Sequence, residues 1–154
     1  MRRLSIVVVL LALSVAGAAQ ELRLPNKEGP VKFAVIGDTG EPSSGQVAVA
    51  RQMAAWRGRF PYTFALMMGD NLYGPESARD YERKFSAPYK ALIDGGVKFY
   101  AALGNHDDDG QIQYKLFNMG GQKYYTFRPQ GGVRFFAIDS NYVDQKQLQW
   151  LDKE

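Results

Sequence analysis

Three short apolar runs, each cut off by a glycine and followed at once by a polar residue, set the rhythm of the chain. They are Val31 to Ile36, Thr63 to Met68 and Val97 to Leu103, and they run into Gly37-Asp38, Gly69-Asp70 and Gly104-Asn105. Short apolar runs bounded by glycine read as buried strands. Helical spacing fills the gaps. Val47, Ala50, Met53, Ala54 and Arg57 recur at three- and four-residue steps. They predict a helix from about Gln46 to Arg57, with an apolar stripe on the sheet and Ser43 or Ser44 as its cap. Ala78 to Ile93 is amphipathic as well, with Tyr81, Phe85 and Tyr89 on one side, and Pro88 predicts its division into two pieces. Asp94-Gly95-Gly96 is a helix stop before the third strand.

The spacing has a topological meaning. Asp38 and Asp70 are 32 residues apart, Asp70 and Asn105 are 35 apart, and a strand–helix–strand crossover takes about 30 residues or more. Strands joined this way run parallel and end at one edge of the sheet, and ligands bind beyond those carboxyl ends. Two carboxylates, an amide, an imidazole and a phenol (Asp38, Asp70, Asn105, His106, Tyr73) would therefore converge on one crevice. In outline that is a metal site.

Beyond the third strand, Ile112 to Phe117 reads as one or two helical turns. Lys123 to Phe127 and Val133 to Ile138 flank Pro129-Gln130-Gly131-Gly132 and read as an antiparallel hairpin. A last helix opens at Asp144, with Leu148 and Leu151 in register and Trp150 beside them; the sequence stops inside it at Glu154 without a cap signal, which reads as truncation. Gly40 and Gly45 have the separation of a phosphate loop, but Gln46 and Val47 stand where Lys and a hydroxyl residue are required. A turn explains those glycines.

Composition narrows the classes. Arg2-Arg3, the apolar run Leu4 to Val15 and the small residues Ala16-Gly17-Ala18 form a secretory signal pattern over residues 1–18. The run is shorter than the 18 or so apolar residues of a spanning helix, so cleavage to a secreted or periplasmic product is expected over the alternative, an uncleaved anchor. Residues 19–30 read as an exposed lead-in, and residues 31–154 as one domain. Without residues 1–18 the chain carries 17 basic against 16 acidic residues. That balance gives no electrostatic case for nucleic acid or an anionic membrane. The chain has no Cys and one His, so any metal must be held by oxygen and imidazole.

The blocks Gly37-Asp38-Thr39-Gly40, Gly69-Asp70-Asn71-Leu72-Tyr73 and Gly104-Asn105-His106-Asp107, in this order, resemble the first three sequence blocks of the calcineurin-like metallophosphoesterases. The Tyr of the second block resembles the purple acid phosphatase branch. The resemblance implies the N-terminal half of a two-sheet α/β sandwich with flanking helices, mainly parallel strands plus a hairpin. It also implies a paired-metal phosphatase acting on small phosphate monoesters through metal-activated hydroxide. Asp38, Asp70, Tyr73 and Asn105 would hold two metal ions, with Asp70 as the bridge between them. Paired metals activate water and clamp a phosphate for in-line attack. A Tyr73 phenolate would favour iron(III), beside iron(II), zinc or manganese. His106 would be the phosphate-contacting proton donor, with Asp107 orienting its imidazole from behind. Asp108-Asp109 read as a solvated turn, and Asp139 as a structural cap or a residue supporting the ligands from behind. The family completes its site with three later histidines that this chain lacks. The alternative reading is a non-catalytic phosphate- or metal-binding remnant.

Overall fold

The computed structural model describes residues 29–129 and 131–154; the predicted signal segment and most of the lead-in lie outside them. Three strands, β1 (Phe33–Ile36), β2 (Phe64–Met68) and β3 (Lys98–Ala102), form a parallel sheet in the order β1-β2-β3. Ala65 pairs with Ala34 on one side and Phe99 on the other. Side chains alternate across a strand, so Ala34, Ile36, Ala65, Met67, Phe99 and Ala101 share one face. The crossover helices cover that face, as parallel sheets require.

Helix α1 (Ser44–Arg59) begins where Ser43 Oγ accepts from Gln46 N at 3.2 Å, the capping bond that the sequence suggested. Arg57 fastens its far end to the segments leading into β2 and β3 by donating to Tyr62 O at 3.2 Å and Gly95 O at 2.7 Å. The second crossover differs from the sequence expectation in detail. Ser77 and Asp80 form a capping box at the head of α2 (Ala78–Tyr81), but the chain then makes a π-helical turn over Glu82–Ser86. Ala87 N donates to Glu82 O there, five residues back. Helix α3 (Lys90–Asp94) resumes after Pro88. Its missing N–H breaks the ladder as expected, and the wide turn before it re-aims Lys84 and Phe85 inward.

The core gathers under the helix face. Phe85, Tyr89, Leu92, Phe99, Phe117 and Met119 are all buried at 1% exposure or less. Phe85 meets the edges of Phe99 and Phe117 at centroid distances of 5.0 and 4.9 Å. The stretch after β3 is built from two 3₁₀ turns, Asp109–Gln113 and Lys115–Phe117.

The opposite face carries Phe33, Val35, Phe64, Leu66, Met68 and Tyr100. A two-stranded hairpin, β4 (Tyr125–Phe127) and β5 (Phe135–Ala137), lies across part of it. Phe127 stacks on Tyr100 at 3.8 Å, and Phe135 meets Phe33 and Phe64 edge-on at 5.3 and 5.5 Å. Helix α4 (Gln145–Lys153) starts at the Asp144 cap and packs outside the hairpin, its Trp150 against Tyr124 and Phe136. Leu148 and Leu151 stay half-exposed. The buried contact is made instead by Gln147, whose amide brackets Asp139 by accepting from its N–H at 2.8 Å and donating to its C=O at 2.9 Å. Layered in order, helices, parallel sheet, hairpin and α4 make a mixed α/β fold, a three-stranded parallel sheet beside a two-stranded antiparallel hairpin. No helix among the described residues is long and apolar enough to cross a membrane.

Candidate metal centre

The loops after the three strands are sewn edge to edge. Asp38 N donates to Gly69 O at 3.2 Å, Thr39 N to Asp70 O at 3.1 Å, and Tyr73 N to Gly40 O at 3.3 Å. Close approach needs bare backbone at three positions. At one of them, Gly69 (φ 96°), a Cβ would lie 2.8 Å from Gly104 Cα. A Cβ on Gly40 would overlap the backbone of Asn71 and Leu72, and one on Gly104 would overlap the backbone and carboxylate of Asp70. Gly37 is under no such constraint. There the left-handed conformation passes to the acids themselves, with φ of 54° at Asp38 and 50° at Asp70. Non-glycine residues hold such angles at a cost of order 1–3 kcal/mol, and they cluster where function over-determines the backbone.

These loops put three oxygens together. The Tyr73 hydroxyl lies 3.0 Å from Asp38 Oδ1 and 3.1 Å from Asp70 Oδ2. One hydroxyl proton is thus shared between two carboxylates that face each other across it. Partial withdrawal from water, the two hydrogen bonds and the two negative charges push the phenol well above its usual pKa. It therefore keeps its proton and donates. Among the described residues no group of three or more His, Cys, Asp or Glu side chains is placed to hold a metal. Tyr73 is what makes a three-donor set, and its all-oxygen chemistry fits one hard cation.

His106 stands over this set, its ring 5.3 Å from that of Tyr73 and its backbone N donating to Asp70 Oδ1 at 3.2 Å. Asp38, Asn105 and His106 are exposed, while Asp70 and Tyr73 are half-buried. Asn105 lines a neighbouring cleft of about 410 Å³ with Asp109, Lys123, Asp139 and Tyr142. The structure thus gathers Asp38, Asp70, Tyr73 and His106, and sets Asn105 at their margin.

Asp107 departs from its expected task. Its carboxylate does not bond the His106 imidazole. It accepts from Asn71 N at 2.7 Å, Leu72 N at 3.0 Å, Gly104 N at 2.8 Å, Asn71 Nδ2 at 3.0 Å and Gln111 Nε2 at 2.8 Å. These bonds bolt the second loop to the third beneath the site. Gln111, fully buried, carries the network on to Glu76 Oε1 at 2.7 Å, and Glu76 Oε2 accepts from Tyr81 at 3.0 Å. Asn71, Glu76 and Gln111 carry no signal in the sequence that marks this role. Asp108 caps a 3₁₀ turn and Asp109 pairs with Lys123 at 2.7 Å, as a solvated turn should. Asp139 is buried and accepts from the N–H groups of Asn141 and Tyr142 at 3.1 and 3.3 Å, the capping role expected of it.

A parallel sheet whose carboxyl-end loops press acids and a phenol together defines an α/β protein with an oxygen-lined site. The family model described as calcineurin-like phosphoesterase matches residues 31–152, and the chain belongs to that family. It is similar to purple acid phosphatase 7 of Arabidopsis thaliana, 33% identical over 101 residues, which cover 62% of this chain and 30% of that protein. Purple acid phosphatase 3 of the same plant is 31% identical over 121 residues, 75% of this chain and 33% of that protein. The chain spans about a third of the length of the curated relatives it matches.

Proposed function

We propose that this chain forms the first part of the active site of a secreted, metal-dependent phosphatase acting on small phosphate monoesters. The observation that carries the reading is the Tyr73 hydroxyl poised between Asp38 and Asp70. Asp38, Asp70 and Tyr73 would hold iron(III), and Asp70 and Asn105 a second ion, iron(II), zinc or manganese. A bound pair supplies charge neutralisation and an activated water. Asp70 has one carboxylate oxygen on Tyr73 and the other on the His106 backbone, so it ties the metal loops to the third loop. His106, exposed above them, would contact the phosphate and give its proton to the departing alkoxide. Length coverage supports the view that the rest of a relative-sized protein brings the remaining ligands.

The test is spectroscopic first. The chain titrated with ferric iron should develop a visible phenolate-to-iron band, and Tyr73→Phe should abolish it. Iron bound with no change of colour on that substitution would reject the ligand role. Turnover is the second arm. A relative-sized protein should release phosphate from an aryl phosphate, and His106→Ala should lower kcat by about 10²–10⁴-fold.

One observation favours a second reading, a metal- or phosphate-binding remnant: the chain has a single His. Colour without turnover in a relative-sized protein would favour it.

A further inference from the structure

Lys84 is a buried ammonium that the site as described does not use. It is 2% exposed, and among the described residues no carboxylate pairs with it. Its partners are two backbone carbonyls, Tyr73 O at 2.6 Å and Pro75 O. The Asp80 carboxylate feels its charge without bonding it. Removing an ammonium from water without a bonded counter-charge is costly, so a simple packing role would be better served by an apolar side chain. What the site needs is donors. Gly74, at φ 70°, bends the chain between Tyr73 and Pro75, and Lys84 meets both flanking carbonyls. Lysine supplies three N–H donors on one arm.

Both polar backbone groups of Tyr73 are thereby occupied: its N–H by Gly40 O at 3.3 Å, its C=O by Lys84. Held at each end, the residue directs its hydroxyl to Asp38 and Asp70. The grip continues into the first crossover helix, because the Lys84 carbonyl accepts from Gln46 Nε2 at 2.5 Å, in the first turn of α1. Lys84 itself rides on the π-helical turn Glu82–Ser86, the irregularity that aims it inward. We propose that Lys84 is the positioning residue for Tyr73, clamping the Tyr73–Pro75 turn so that the phenol is fixed over the two carboxylates. The inference rests on Tyr73 being a metal ligand, and its test keeps the two apart.

The full chain, loaded with ferric iron, is compared with Lys84→Met, Lys84→Gln and Tyr73→Phe for iron content, visible spectrum and thermal unfolding. Lys84→Met, of similar volume and without donors, should bind iron to within about two-fold of the parent yet lose at least half of the band. Lys84→Gln, which keeps an N–H donor, should recover part of it. A Lys84→Met protein with the parental band, even if it melts earlier, would make the lysine a purely structural residue and overturn the proposal. Should Lys84→Met not fold, the band of Lys84→Gln decides: weakened supports the proposal, unchanged overturns it. If neither variant folds, Lys84 is a folding residue and the proposal fails. A parental band that survives Tyr73→Phe, or an absence of any band, would instead defeat the ligand reading, and the proposal with it.

Discussion

The two faces of the parallel sheet are built from the same strands and differ sharply in how they are closed. On the helix side, Ala65, Met67, Phe99 and Ala101 are at most 1% exposed. On the hairpin side, Phe64 is sealed beneath Phe127 and Phe135. Towards the carboxyl ends of the same strands, Val35 is 55% exposed and Met68 62%. The closed face is covered by elements that follow each strand directly, and local amphipathicity suffices to direct them. The other face depends on a hairpin that starts more than twenty residues after β3 and is only three residues long on each strand. It therefore reaches the amino-terminal part of that face and stops.

The largest expected contrast comes from emptying the closed face. Phe99→Ala removes a ring packed on Phe85 and Tyr89, and phenylalanine-to-alanine changes in sealed cores cost about 3–5 kcal/mol. Chemical denaturation should show a loss in that range. A cost near 1 kcal/mol would mean that this face collapses readily and is no better closed than the other.

Phe127→Ala sharpens the contrast from the hairpin side. The ring is half-buried yet touches Tyr100, Phe64 and Phe135. Burying a whole phenylalanine is worth about 1.5–3 kcal/mol, so a partly covered ring should cost about 1–2. The same denaturation curve measures it. A loss as large as that of Phe99→Ala would place the hairpin in the main core.

The difference between the faces also explains what could be read from sequence. Three strands ending in Gly-Asp, Gly-Asp and Gly-Asn were legible because burial and the glycine stop are local, and their spacing implied the parallel order. Asp38, Asp70 and Tyr73 were legible through the motifs that carry them. The Asp107 network was not. Its partners Asn71, Gln111 and Glu76 are set by the approach of two loops more than thirty residues apart, which no periodicity encodes. Lys84 did leave a trace. It stands three residues after Tyr81, beside Phe85, on what should be an apolar stripe, and a cation there is a local conflict of the kind that marks a site. The π-helical turn hid it, because that turn shifts the register that the helical period would give.

The smallest expected effect is the most discriminating. Met67 and Met68 are neighbours in β2 with side chains on opposite faces, 1% and 62% exposed. Met67→Ala should cost about 2–5 kcal/mol, since it opens a cavity among Ala65, Phe99 and Ala101. Met68→Ser should stay within about 0.5 kcal/mol, because a side chain already in water has little burial to lose and only a small strand preference is sacrificed. Adjacent positions share backbone, solvent and unfolded chain, so the gap between the two values isolates the closure of each face. Equilibrium denaturation at two protein concentrations would measure both. A Met68→Ser loss above about 2 kcal/mol would mean that the hairpin face is covered in solution. If that loss grew with protein concentration the cover would be a second molecule, and if it did not, the cover would belong to the chain itself.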